Sequence, residues 1–206
     1  MHAAQHTALP AGVELGIYKP PLHGPLRDSF FAAFAFLVRE FVGELAHLNC
    51  PLATFQGIDE ELSGLPGKYG ADEGGCMWLL AIPMHLNGES VAAVAGWPAP
   101  LTLHIGCLGA HAVLGCVALR ALAGRPDARE VKRLIVTARA RGMGGGRALL
   151  RAAEGGAREA GAEVVMLDSL ERLKAAGALY AKEGWERAPP YCYNPMEDAL
   201  FFQKKL

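Results

Sequence analysis

The chain has 206 residues, 51% of them hydrophobic and 20% charged, a size and balance that fit a single compact domain carrying at most an insertion. A formal charge of −1 removes any general electrostatic case for nucleic acid or an acidic membrane surface as partner. Five scattered cysteines (Cys50, Cys76, Cys107, Cys116, Cys192) form no CxxC and argue against a disulfide framework, so a reducing, cytoplasmic setting is expected.

The first 25 residues contain one Lys and no Arg, unlike a signal or transit peptide. Their prolines, Pro10, Pro20, Pro21 and Pro25, suggest an extended arm with a short strand near Val13–Tyr18. Phe30, Phe34, Leu37, Phe41, Leu45 and Leu48 then recur at helical spacing among Arg27, Arg39, Glu40 and Glu44, which predicts an amphipathic helix packed on a core. Ile58–Leu65 reads as a second short helix, broken by Leu65-Pro66-Gly67-Lys68-Tyr69-Gly70. Met77–Ile82 and Ala112–Leu119 read as strands. Between them, about 83–111, lies an atypical apolar insertion interrupted by Pro and Gly; lid, extra hairpin and contact between two copies all stay open for it. No residue from Val91 to Leu119 is charged, but six Gly and Pro in that run fit strands and turns better than a membrane span.

Glu130–Thr137 is the next expected strand, Gly145–Ala160 a helix kinked or frayed at Gly155-Gly156, and Glu163–Leu167 a further strand. Asp168-Ser169-Leu170-Glu171 has the pattern of a capping box ahead of a helix bearing Leu173, Ala176 and Tyr180, with Gly184 as its C-terminal cap. Trp185–Arg187 starts a strand, Pro189 to Pro195 is a rigid loop, and Leu200–Lys204 is a closing strand. The alternation predicts an α/β (α+β) fold: a mixed, mostly antiparallel sheet with helices on both faces.

Arg141-Gly142-Met143-Gly144-Gly145-Gly146-Arg147 stands between a strand and a helix. Glycines let the backbone approach an anion, and the first N–H groups of the helix point at it. The spacing rejects two phosphate-loop patterns. In G-x-G-x-x-G the third glycine falls on Arg147 or Leu149, and no Gly-Lys-Ser/Thr follows as a P-loop requires. The histidines and cysteines show no ligand spacing, so no metal is expected, and no G-x-S-x-G elbow is present.

Arg141-x-x-Gly144-x-Gly146 matches the Q/R-x-x-G-x-G/A signature of the GNAT acetyltransferase superfamily. Leu179-Tyr180-Ala181-Lys182-Glu183-Gly184-Trp185 resembles that family's L-Y-x-x-x-G-F/W element. Pro189-Pro190-Tyr191, Asn194-Pro195 and Ala199-Leu200-Phe201-Phe202 resemble the ending of many bacterial members. The resemblance covers roughly 30–82 and 112–206 and skips 83–111.

The resemblance implies the GNAT fold, acetyl-CoA as co-substrate and an N-acetyltransferase that acetylates a primary amine of a small molecule or peptide by direct attack in a ternary complex. It places the pyrophosphate on Arg141, Gly142, Met143, Gly144, Gly145, Gly146 and Arg147, where the helix dipole adds about half a positive charge. The pantetheine arm runs along Leu134, Ile135 and Val136, where a backbone N–H can polarise the thioester carbonyl. Tyr180 takes the place of the family's general acid. Glu130, eleven residues before Arg141, takes that of the base, with a strand-end ion pair to Lys132 or Arg129 as its alternative. Tyr191, Tyr193 and Asn194 are the acceptor-side residues. Two departures stand out: Leu173 replaces the family's frequent Asn, and no proline follows the central strand. A non-catalytic acyl-CoA-binding module of the same fold is the runner-up function.

Overall fold

The computed structural model describes residues 13–21, 24–46, 57–86, 89–90, 102–104 and 109–206. The sheet contains β1 (Gly16–Tyr18), β2 (Cys76–Pro83), β5 (Thr102–His104), β6 (Ala110–Leu122), β7 (Arg125–Val136), β8 (Val164–Leu170), β9 (Glu186–Arg187) and β10 (Ala199–Lys205). Its order is β1-β2-β6-β7-β8-β10-β9, with β5 added beside the start of β6. Every pairing is antiparallel except β7 with β8. A separate hairpin joins β3 (His85–Leu86) and β4 (Glu89–Ser90). The expected insertion is thus divided among the end of β2, this hairpin, β5 and the start of β6; of its remaining residues only Met84 and Gly109 are described, and Leu48 too lies outside the described residues. No helix among the described residues is long and apolar enough to cross a membrane.

Helices cover both faces, as expected. Strand β2 shows why: Trp78, Leu80 and Ile82 face α3 (Gly145–Glu159), while Met77 and Leu79 face α1 (Pro25–Ala46) and α2 (Ile58–Ser63). Helix α1 begins at a proline, where the missing N–H costs nothing. It buries Phe30, Phe34, Leu37, Val38 and Leu45, each contributing about 1.5–3 kcal/mol.

Two expectations fail. Helix α3 runs unbroken through Gly155-Gly156. A Cβ on Gly156 would lie 2.5 Å from the Trp78 ring, so this glycine lets the helix seat on β2. The capping box is absent as well: Asp168, Ser169 and Leu170 remain strand, held by β10 through Phe201, Leu200 and Ala199. The following helix, α4 (Lys174–Lys182), starts after Leu173 with no side-chain cap. Tertiary pairing overrode a local pattern, and the Asp168 carboxylate is taken by Lys132 and Asn194.

Candidate active site

Strands β7 and β8 pair only at Ala128–Val164, Arg129–Val165 and Glu130–Met166. Beyond these positions they part, and a cleft of about 830 Å³ opens between residues 131–136 and 167–170, closed by α1, α4 and the start of α3. A bulge shapes its wall. Cys116 pairs with Ile135 and Ala118 with Lys132, so Arg133 and Leu134 together oppose Val117. Arg133 takes a left-handed φ of 55° to make it. Gly115 gives the bulge room, because a Cβ there would lie 2.4 Å from the Ile135 carbonyl oxygen. Leu134, Ile135 and Val136 all line the cleft.

At one end lies the glycine loop. Gly144 caps α3 with φ 85°, no side chain caps the helix, and its first turn carries no acid. The first intrahelical bond is from Ala148 N–H to the Gly144 carbonyl at 3.0 Å. The N–H groups of Gly145, Gly146 and Arg147 therefore precede the ladder at the positive end of the helix dipole. A Cβ on Gly145 would strike Leu80 at 2.4 Å, and one on Gly146 would crowd Leu179 at 3.2 Å. Arg141, Gly142, Gly144, Gly145, Gly146 and Arg147 line the cleft. Met143 packs instead against the core on the α3 face. Both arginines have carboxylate partners: Arg141 donates to Glu44 at 2.6 Å, and Arg147 Nε lies 2.8 Å from Glu183.

At the other end stands Tyr180, 6% exposed and lining the cleft. Trp185 and Phe202 grip its ring at centroid distances of 6.1 and 5.2 Å. Gly184, at φ 80°, turns the chain so that Trp185 N–H bonds the Tyr180 carbonyl at 3.0 Å. Burial pushes the phenol above its ordinary range, which keeps it a proton donor at neutral pH.

Glu130 is fully buried and sits behind the cleft wall. Arg120, opposite it on β6, donates to Oε2, while the Tyr191 hydroxyl donates to Oε1 at 3.1 Å and Lys132 Nζ lies 3.6 Å away. Its ion pair is thus with Arg120 first and Lys132 second. Arg129 instead spreads its guanidinium over the carbonyls of Gly74, Pro126, Ala128 and Ala160. Lys132 reaches Asp168 at 2.7 Å, and Asn194 donates to the other oxygen of that carboxylate at 2.9 Å. Lys132, Asp168 and Asn194 line the cleft. Burial works against the Asp168 charge, but Lys132 and Asn194 hold the carboxyl below its usual range. Burial and the nearby Glu130 carboxylate raise the Tyr191 phenol. Tyr193 stands apart from the others, 86% exposed.

Several of these groups escape sequence reasoning. Arg133 donates through Nε to Glu61 of α2 at 2.8 Å, and Lys68 reaches the same carboxylate. Arg120 and Glu61 carry no motif, while Lys132 is expected only as a partner of Glu130, Asp168 only as a helix cap and Lys68 only as part of a helix-breaking loop. Their partners are brought together by strand register and by the packing of α2 on the sheet, so no local spacing announces them.

Residues 75–185 match the Acetyltransferase (GNAT) family. An uncharacterized N-acetyltransferase of Schizosaccharomyces pombe is 27% identical over 173 residues, covering 84% of this chain and 86% of its own. A GNAT-family acetyltransferase of Staphylococcus aureus superposes with a TM-score of 0.62 at 13% identity, over 93% of this chain and 99% of that one. The PaiA N-acetyltransferase of Thermoplasma acidophilum, solved in complex with coenzyme A, gives 0.60 at 14% identity, over 94% and 99%.

Proposed function

The chain belongs to the Acetyltransferase (GNAT) family and is an acyltransferase; from that premise we propose that it moves an acetyl group from acetyl-CoA to the primary amine of a small molecule or peptide, by direct attack in a ternary complex. One observation carries the reading. A single cleft holds an uncapped, glycine-lined helix start, the separated edge of β7 and a buried tyrosine.

Acetyl-CoA supplies the activated acyl group. The residues present fit it: with no side-chain cap and no acid in the first turn of α3, the N–H groups of Gly145, Gly146 and Arg147 are left to meet the pyrophosphate. Arg141 and Arg147 add charge-assisted contacts from either side. The β7 edge at Leu134–Val136 aligns the pantetheine arm and presents a backbone N–H to the carbonyl oxygen. Tyr180 donates a proton to the departing sulfur.

An alkylammonium with a pKa near 10.4 must lose a proton before it attacks. The Tyr191 hydroxyl donates its hydrogen bond to Glu130 Oε1, which leaves the phenol oxygen as a hydrogen-bond acceptor for the incoming amine. Glu130 is read as the base that takes the amine's proton, directly or through water. Asn194 orients Asp168 at the acyl end. The whole of 1–206 is read as one domain.

The test is incubation with acetyl-CoA and a panel of amines, following thiol release and the mass of each acceptor. The expected result is thiol release that depends on the acceptor and matches acetylated product. Tight CoA binding with no such release would refute the catalytic reading, and no CoA binding would refute the donor.

A further inference from the structure

The polar face behind the acyl end is short of negative charge. Four cations, Lys68, Arg120, Lys132 and Arg133, meet three carboxylates, Glu61, Glu130 and Asp168. Glu61 is shared by Arg133 and Lys68, Glu130 by Arg120 and Lys132. The side chains of Glu61, Glu130, Lys132, Asp168 and Arg133 are all 10% exposed or less. Tyr69 joins the two halves, its buried phenol lying in the field of Arg133, Glu61 and Arg120. Of the 21 Asp and Glu of the chain, 20 have described side chains, and among these the ion pairs of the four cations are with Glu61, Glu130 and Asp168.

The two cations that reach solvent are Arg120 and Lys68, with side chains 26% and 41% exposed. Arg120 uses Nε on Glu130, and its two terminal nitrogens have no protein partner among the described residues. They form an open fork of the kind that takes a carboxylate with two parallel hydrogen bonds. Beside that fork are the Tyr191 hydroxyl and, through Glu130 and Lys132, the Asp168 carboxylate at the cleft.

Resting on the transferase reading above, we propose that the acceptor carries a carboxylate as well as its amine, and that the Arg120 fork and Lys68 receive it: the substrate is an amino acid or a similarly carboxylated amine. One incoming carboxylate brings the cluster to four charges of each sign. A polyamine would instead add a cation to a site already in excess, where like charges in a partly desolvated cluster repel.

Matched pairs test this: lysine against cadaverine, tyrosine against tyramine, phenylalanine against phenethylamine. CoA binding is measured first by calorimetry; its absence would overturn the transferase reading and this proposal with it. With CoA binding shown, kcat/KM at saturating acetyl-CoA is compared within each pair. The carboxylated member is expected to be favoured at least tenfold. Arg120→Lys keeps a cation beside Glu130 but removes the fork, and Lys68→Met changes an exposed position. Each is expected to shrink the preference through the acceptor's KM. Equal or better turnover of the decarboxylated members, or an unchanged ratio in both variants, overturns the assignment. If no pair turns over, binding of the same pairs to the enzyme–CoA complex is compared by thermal shift. Stabilisation by the carboxylated members alone supports the proposal; equal shifts within pairs, or none, overturn it.

Discussion

Glu61→Gln is the most informative single change. The substitution keeps the shape of a side chain that is 4% exposed and removes the charge shared by Arg133 and Lys68. Burial alone would raise this carboxyl, but Arg133 and Lys68 more than offset it and hold the group at about 2, against an ordinary 4.5. A displacement of that size corresponds to about 3 kcal/mol of stability, comparable to the 3–5 kcal/mol typical of breaking a buried pair. The folded-state pKa is depressed, so the contribution is complete above pH ~4.5 and fades as pH falls toward 2. Urea unfolding of both proteins from pH 7 to pH 2.5 reads this directly. The variant should be about 3 kcal/mol less stable at pH 7, and the gap should narrow steadily below pH 4.5. A variant as stable as the parent at pH 7, or a gap constant with pH, would refute the reasoning. The same clamp anchors the bulge at Arg133, whose left-handed conformation itself costs about 1 kcal/mol. Adding Arg133→Gly to Glu61→Gln removes that strain together with the Arg133 charge, and should recover part of the lost stability.

Tyr180→Phe should lower kcat by about a hundredfold or more while the CoA dissociation constant changes little; steady-state rates and calorimetry together check this, and unchanged turnover would remove Tyr180 from the mechanism. Gly156→Ala should destabilise by about 1–3 kcal/mol, because its Cβ would meet Trp78 at 2.5 Å. Helix propensity alone predicts a gain of about 1 kcal/mol, so the sign of the change in denaturation midpoint decides between packing and propensity. Arg147→Met should weaken CoA binding about tenfold at low salt and reduce the salt dependence of what remains. Calorimetry at two ionic strengths reads both, and an unchanged salt slope would take Arg147 off the pyrophosphate.

The parts of this fold that the sequence announces are those whose cause is local. A glycine loop between a strand and a helix reads directly, since N–H exposure and the absence of Cβ are properties of the segment itself. Gly184 after Tyr180 reads for the same reason. The misreadings have the opposite origin. Asp168-Ser169-Leu170-Glu171 looks like a cap until β10, thirty residues later, claims it as strand. Gly156 looks like a weakness until Trp78 is laid against it. Glu130 is visible as a carboxylate near the signature, but its main partner sits on the neighbouring strand. Arg133 and Glu61 are 72 positions apart, and nothing nearby in the chain links them.

The parallel pairing of β7 with β8 stops after three residue pairs, although both strands continue. The middle of the sheet is therefore incomplete in the protein by itself, and a bound donor would act as its missing segment. Anything that binds the folded chain and not the unfolded one stabilises it by mass action, by about 2.7 kcal/mol at a hundred times its dissociation constant. Resistance to heat and to proteases would then follow the supply of the metabolite that fills the gap. The level of active protein in a cell would vary with the state of its CoA pool as well as with its rate of synthesis.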